Sequence, residues 1–439
     1  MQLSVLAQIS YDTVYTKLIG NSQFHTEGLS LIELSADSIL WSTGYHGGLD
    51  YCDWRPKLYI TNAESDTIWS TSDIVGGRKI IATSDGNFVN IRQINVPSNC
   101  TQDTLIVSKF NIMGDTLWVR KFYFGTGMNR IGDIVETADS GLAIICSYET
   151  GFSWNSRLIK LNGSGITEWT KVYSSSLMRG LSLANTSDDG FGILFKDSPI
   201  SYKVIRTNSF GDSLWSTIIS DSFNVSGRAS IETLPDDNFL ITGATINSGF
   251  LARVSNVGSL QFHKFFSDSV AGNSLWLEFA KYIPSKNVYA FLTTRINITD
   301  TLGNLIWSSS DFDATFMDII ETSNGDLMAL GYRYIDGTEK IFAVRFQETT
   351  TNIVQPGELP VINIYPNPTS GTLSILFDKL YQKVELALFD IRGRRVMEHS
   401  TNQSRTVNLN IEHLAEGMYV LRVQAEGLQS FNTKLLKEN

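Results

Sequence analysis

The sequence predicts an all-β chain: a seven-bladed β-propeller followed by a small immunoglobulin-like β-sandwich. Three observations carry this expectation. Aromatic residues recur in one local frame at a mean spacing near 49 residues, from Tyr15 to Trp307. Four of the nine prolines then fall together at Pro356, Pro360, Pro366 and Pro368. Beyond them the frame vanishes and short alternating strands take over.

The frame is defined by its offsets. Trp69, Trp118, Trp169, Trp215 and Trp307 each follow Asn62, Asn111, Asn162, Asn208 or Asp300 by seven residues. Four residues before the aromatic stands Gly114, Gly165, Gly211 or Gly303, with Ser65 in the first copy. Phe262 keeps the register with Ser255 and Gly258, and Tyr15 is a seventh copy with a weaker turn. Asn, Asp and Gly suit such a turn because they tolerate positive φ at little steric cost. An apolar strand such as 105–110 enters it, and a strand rich in aromatic and β-branched residues such as 116–124 leaves it.

Upstream of each frame lies a second hairpin signal, as in 133–147, 182–195, 230–243 and 318–331. The repeat unit is therefore four short antiparallel strands, which at this period suggests a propeller blade. A single such sheet is apolar on both faces and gains stability only between neighbours. The recurring aromatic is accordingly expected to wedge between blades. The last copy has a third strand at 340–346 but no fourth, whereas the chain opens with an orphan strand of the missing type at 13–20. The first strand is expected to complete the last blade, which hides an open edge.

The segment Lys109-x-Asn111-x-x-Gly114-x-x-x-Trp118 resembles the tryptophan-docking repeats of quinoprotein-like propellers, in architecture only. Residues for their cofactor pocket and metal site are not found, so no cofactor and no metal are expected. The turns Thr137-Asp139-Gly141 and Thr186-Asp188-Gly190 look like the Asp-box of sialidases without its trailing aromatic.

Residues 347–361 read as a polar, proline-bearing linker. The ring is assigned to 8–346 and the tail to 362–439. The tail holds 9 basic and 8 acidic residues, so the acidic excess lies in the ring. Strands are expected at 372–377, 384–390, 406–411, 418–424 and 432–437. The blocks IYPNPTSGTL (364–373), LFDIRGRRV (388–396), LNIEHLAEGMYVLRV (409–423) and KLLK (434–437) resemble, in order and spacing, the type A C-terminal sorting domain of bacterial type IX secretion cargo. LNIE stands where that family usually has an LDLS-type block. The resemblance assigns Tyr365, Pro366, Asn367, Pro368, Gly371, Gly393, Gly417, Tyr419, Lys434 and Lys437 to the signature. It implies export through the type IX machinery, removal of the tail by a sortase-like peptidase, and a secreted or outer-membrane-surface location. The terminal strand, with two exposed lysines, is the expected recognition element. Residues 1–7, ending Val5-x-Ala7, fit the end of a signal peptide whose basic start is missing.

The chain of 439 residues is 42% hydrophobic and 18% charged, with a net charge of −10. That balance argues against nucleic acid, which calls for a basic stripe. No apolar run approaches the ~18–20 residues of a membrane span. The five histidines form no HExxH, and no GxSxG, Walker loop or CxxC occurs. Cys52 and Cys100 occupy nearly equivalent positions in adjacent repeats, which leaves open either a disulfide between them or two free thiols, and Cys146 is expected in the core. The connections 44–57, 92–104 and 147–157 are read as long loops on one rim, bearing Tyr45, His46, Tyr51, Trp54, Phe152 and Trp154. Aromatic residues on loops suit a protein or glycan partner. The leading function is thus an exported binding module, and the second a carbohydrate-active hydrolase whose carboxylate pair comes from separate blades.

Overall fold

The computed structural model describes residues 11–19, 24–36, 38–47, 55–71, 79–95, 102–124, 129–150, 153–175, 178–220, 225–245, 249–266, 279–349, 363–390, 394–425 and 428–438. The chain divides into two compact units, Met1–Thr350 and Thr351–Asn439.

In the first unit, seven four-stranded antiparallel sheets are found among the described residues. Six are contiguous: blade 1 spans 24–70, blade 2 79–123, blade 3 129–175, blade 4 179–220, blade 5 225–266 and blade 6 280–308. Blade 7 joins Thr315–Glu321, Leu327–Ile335 and Thr338–Glu348 to Tyr11–Ile19 from the other end of the unit. Tyr11–Ile19 runs antiparallel to Thr338–Glu348, with Lys17 opposite Ala343. The unit is a seven-bladed propeller closed non-covalently.

The packing follows from the period of two along a strand. In blade 3, Leu142, Ile144 and Cys146 enter a cluster shared with Val89, Ile91, Leu105 and Val107 of blade 2. The intervening Ala143 and Ile145 enter a different cluster, with Leu183, Phe191, Ile193 and Phe195 of blade 4. The uninterrupted apolar run therefore serves two cores at once, as strands buried on both faces do. Leu31, Ile39 and the fully buried Trp41 of blade 1 meet Met328, Leu330 and Ile341 of blade 7 across the closure. Burial pushes the Cys146 thiol up to about 12.

The outer strands tie each blade to the next. Trp118 of blade 2 lies on the turn of blade 3, where Gly165 has φ +76° and an added Cβ would sit 3.0 Å from the indole. Arg120 stacks on Trp118 at 5.4 Å and donates to Gly165 O and Ser164 O, each at 2.9 Å. Trp69 meets Gly114, Trp169 meets Gly211, Trp215 meets Gly258 and Phe262 meets Gly303 in the same manner. Tyr15, on the closing strand, donates to or accepts from Ser65 Oγ at 2.7 Å. Trp307 has no such turn ahead of it and packs on Tyr11 at 5.0 Å and Phe346 at 5.6 Å. The turns themselves are held by their first residue: Asn162 Oδ1 accepts from Ser164 N at 3.0 Å and from Ile166 N at 2.9 Å.

A second tie works inside the blades. Asp139, in the turn between the first two strands of blade 3, accepts from Gly141 N at 3.0 Å and from Lys160 Nζ at 2.8 Å. Lys109 with Asp85, Arg206 with Asp188, and Arg253 with Asp236 repeat the pair in blades 2, 4 and 5. Burial would raise the Asp139 carboxyl, but Lys160, Thr137 and Gly141 N outweigh it and bring it down to about 2.

The second unit is one sheet of five strands curled into a sandwich-like fold around Leu373, Ile375, Phe377, Tyr381, Val384, Leu386 and Leu421. Two strands expected at 372–377 and 384–390 are in fact one, Thr372–Asp390. Its pairing with Arg395–Asn410 merely shifts register between Leu376 and Tyr381, so the interval bends the strand without ending it.

Two outcomes test this account. Trp118→Ala is expected to cost roughly 3 kcal/mol, the low end for aromatic truncation because the ring is half-buried. Gly165→Ala should cost about 1–2 kcal/mol through its left-handed φ; both are read by urea unfolding. Asp139→Asn should lower Tm at pH 7 by a few degrees and leave Tm at pH 2 nearly unchanged. The native carboxyl is depressed, so its contribution is complete above the unfolded value of ~4 and disappears as pH falls through about 2.

Candidate functional site

The innermost strands of all seven blades line an axial channel of about 590 Å³. An innermost strand pairs with its blade on one side only, leaving N–H groups on its free edge. Short side chains of the adjacent blade take them up. Asp133 accepts from Ser182 Oγ at 2.8 Å and from Leu183 N at 3.1 Å. Asp318 accepts from Ser30 Oγ at 3.1 Å and from Leu31 N at 2.8 Å. Ser182 Oγ in turn accepts from Ile231 N at 3.2 Å, and Glu232 accepts from Tyr282 N at 2.8 Å. Lys79 donates to Asp133. Sequence reasoning missed this seam, although a signal existed: Asp133, Ser182 and Asp318 each stand four residues before the turn threonine, Thr137, Thr186 or Thr322.

Glu232 and Lys281 face one another electrostatically in the channel. Burial raises the Glu232 carboxyl above its ordinary range, only partly countered by Lys281 and the Tyr282 N–H. Burial alone would lower Lys281, but Glu232, Asp318 and Asp133 raise it on balance. Water reaches Lys281 along the channel while protein walls it in.

The expected aromatic rim is placed only in part. Tyr51, Trp54 and Phe152 lie outside the described residues, as do Cys52 and Cys100 and segment 1–7. Tyr45 and His46 lie on Ser38–Gly47, and their side chains are likewise not described. Trp154 is described, and it is not on a long loop. Leu142–Thr150 and Ser153–Leu161 pair out to Thr150 opposite Ser153, so most of 147–157 is strand. The hairpin continues because its backbone groups still find partners, which the polar side chains of that stretch concealed. Likewise 92–104 is shortened by strands reaching Asn95 and resuming at Gln102.

Blades 2–4 carry two separate contacts between cations and rings, one on each face of blade 3. The Arg179 guanidinium lies 5.4 Å from the Trp154 ring. Arg157 lies 5.0 Å from Tyr148 and 5.1 Å from Phe124, two rings themselves stacked at 5.6 Å. Trp154 belongs to none of the apolar clusters between blades 2, 3 and 4.

In the tail, Asn367 explains the proline-rich block. Its side chain donates to Lys434 O at 2.8 Å and accepts from Leu436 N at 2.9 Å, clamping the terminal strand. Thr369 adds backbone bonds to Leu436 O and from Glu438 N, both 2.9 Å. Pro366 and Pro368 flank Asn367 and are exposed, as is Tyr365. A Cβ added at Gly371 would meet Glu412 Cγ at 2.3 Å, so that the exposed glutamate side chain would have to move. Tyr419 is buried and donates to Ala415 O at 2.7 Å, Gly417 has φ +145°, and Gly393 lies outside the described residues. The expectation of two exposed lysines is corrected: Lys434 is exposed, but Lys437 is 6% exposed and donates to Glu438 O. The alternation of the strand turns Leu435 and Lys437 to the same face, and Leu435 is in the core.

Residues 363–438 match the family of secretion system C-terminal sorting domains. This tail is a type IX sorting domain. The protein is accordingly exported to the cell surface or secreted, and its tail engages the secretion machinery. No helix among the described residues is long and apolar enough to cross a membrane. The chain is similar over 89 residues, at 30% identity, to ulvan lyase NLR42 of Nonlabens ulvanivorans, covering 20% of this chain and 16% of that one. It thus spans less than a fifth of the length of that curated relative. Among solved structures, the Dos1 propeller covers 73% of this chain and is itself covered to 95%, at 7% identity and a TM-score of 0.46. The WD40 domain of Toxoplasma gondii coronin covers 80% and is covered to 89%, at 10% identity and a TM-score of 0.43. The propeller assignment stands on the seven four-stranded sheets.

Asn367→Ala is expected to loosen the terminal strand by about 1–2 kcal/mol and to lower the amount of protein at the cell surface. Fractionation and immunoblotting read that delivery. Undiminished export of a variant whose tail melts earlier would separate the clamp from sorting.

Proposed function

We propose that the exported ring is a binding module for a glycan or protein partner. A sortase-like peptidase removes its tail, and its ligand face is the rim that holds Trp154. One observation carries this reading: the half-buried Trp154 belongs to none of the apolar clusters that hold blades 2 to 4 together, and the Arg179 guanidinium of blade 4 lies 5.4 Å from its ring. A ring that bears a flat aromatic face beside hydrogen-bond donors has the chemistry of a recognition surface. By contrast, the channel carboxylates Asp133, Asp318 and Glu232 already accept hydrogen bonds from the next blade.

A second reading, a carbohydrate-active hydrolase, draws on Glu232 alone. A half-buried carboxyl with raised proton affinity is suited to general acid work.

Purified full-length protein on a glycan array and a surface-protein panel, with release of reducing ends assayed in parallel, tests both. Trp154→Ala should weaken capture roughly tenfold or more, as loss of an aromatic anchor does, with Tm unchanged. A marked fall in Tm without loss of capture would return Trp154 to a structural role. Hydrolysis abolished by Glu232→Gln would favour the second reading.

A further inference from the structure

We propose that the junction of blades 1 and 2 seats a small oxyanion, held by the Arg92 guanidinium, the Asn90 side-chain amide and the Ser108 hydroxyl opposite Ser42 of blade 1. The site belongs to a different junction from that of Trp154 and goes beyond the binding-module reading.

Each junction of the ring is built from equivalent positions. The third residue of a blade's second strand is Ile144 in blade 3, Ile193 in blade 4, Ile241 in blade 5 and Ala329 in blade 7, all fully buried. Opposite it on the next strand stand Ile159, Ile205, Ala252 and Val344. In blade 1 the second strand begins one residue earlier, at Ser38, so the same position is Trp41. The following residue of the preceding blade packs against it: Ile145 shares a cluster with Ile193, Leu194 with Ile241, and Leu330 with Trp41.

Blade 2 breaks this pattern. Its third residue is Asn90, 1% exposed, and the residue opposite is Ser108, also buried. The matching residue of blade 1 is Ser42, fully buried. Three positions that are apolar at the junctions of blades 3 with 4 and 7 with 1 are thus all polar here. None of the three belongs to the apolar cluster between blades 1 and 2. A repeat that departs from its own packing rule at one junction marks a site kept for something other than stability.

The polar groups so placed also lack partners. Asn90 Nδ2 and Oδ1 are both buried, and neither meets a hydrogen-bond partner among the described residues. Two residues on, the strand turns Arg92 to the same side. Its Nε is buried and equally unpartnered among the described residues. Burial lowers Arg92 below the ordinary arginine range, with no carboxylate among the described residues opposing it. A native fold rarely keeps such groups buried without a water or an ion to meet them. Water would satisfy Asn90 but leave the guanidinium charge uncompensated, whereas an anion answers both. The planar fork of arginine matches two oxygens at once, and Asn90 Nδ2 and the Ser108 hydroxyl can each donate to a further one. Phosphate, sulfate and carboxylate groups share this chemistry.

Thermal unfolding and calorimetry of the full chain in phosphate, sulfate, acetate or chloride at one ionic strength provide the test. At least one oxyanion should raise Tm saturably, as a ligand of the folded state does, and chloride should not. The oxyanion that saturates at the lowest concentration distinguishes a tetrahedral group from a carboxylate. Arg92→Gln should weaken its binding at least tenfold. Asn90→Leu, which restores the apolar residue of the other blades, should weaken binding as much while leaving the anion-free Tm equal or higher. If Arg92→Gln fails to fold, Asn90→Leu decides alone. Stabilisation by exclusion of sulfate from the surface rises without saturating and survives both substitutions. That pattern, or no response to any oxyanion, would overturn the proposal. So would an Asn90→Leu chain that melts lower yet keeps its anion response, since the polar group would then serve packing alone. Capture at Trp154 is unaffected by either outcome.

Discussion

Each blade of the ring is a sheet with two apolar faces, and no blade can bury both of them by itself. That constraint governs nearly everything else in the first unit. Successive residues of Leu142–Cys146 enter two different cores because a strand alternates sides and both sides are occupied by protein. The outermost strand then has to be held against the next blade. An aromatic ring laid on a left-handed turn does this at Gly114, Gly165, Gly211, Gly258 and Gly303. The turn needs glycine twice over, for its φ and for the space the ring fills. At Ser65 the partner is Tyr15, whose hydroxyl meets the serine hydroxyl instead.

Polar groups obey the same logic at the inner edge. Where adjacent innermost strands diverge, their N–H groups lack strand partners, and Asp133, Asp318, Ser182 and Glu232 supply acceptors from the neighbouring blade. A channel lined by carboxylates therefore need not be a catalytic pocket: these acids satisfy backbone donors that would otherwise be buried unpaired. In the channel, burial raises the Glu232 carboxyl, and the surrounding carboxylates raise Lys281.

The tail shows how a sequence signature can be structural in origin. Asn367 between two prolines looks like a recognition tag when read as letters. In the fold it clamps the terminal strand through Lys434 and Leu436. The exposed member of the signature near the terminus is Lys434, with Lys437 turned inward.

The all-β class, the seven-fold repeat, the non-covalent closure and the sorting tail were legible in the residues. Each rests on local periodicity or on a motif contiguous in the chain, and hydrophobic alternation and turn chemistry act over only a few residues. The merging of two tail strands into Thr372–Asp390 and the pairing of Glu149 with Trp154 were not legible, because polar stretches hide strands whose partners lie on the other side of a hairpin. The contact between Trp154 of blade 3 and Arg179 of blade 4 was equally hidden. Those residues are 25 positions apart in the chain. Only closing the ring at a definite angle between blades brings them to one spot, since the distance between side chains on neighbouring blades is a property of the assembled circle and of no single repeat.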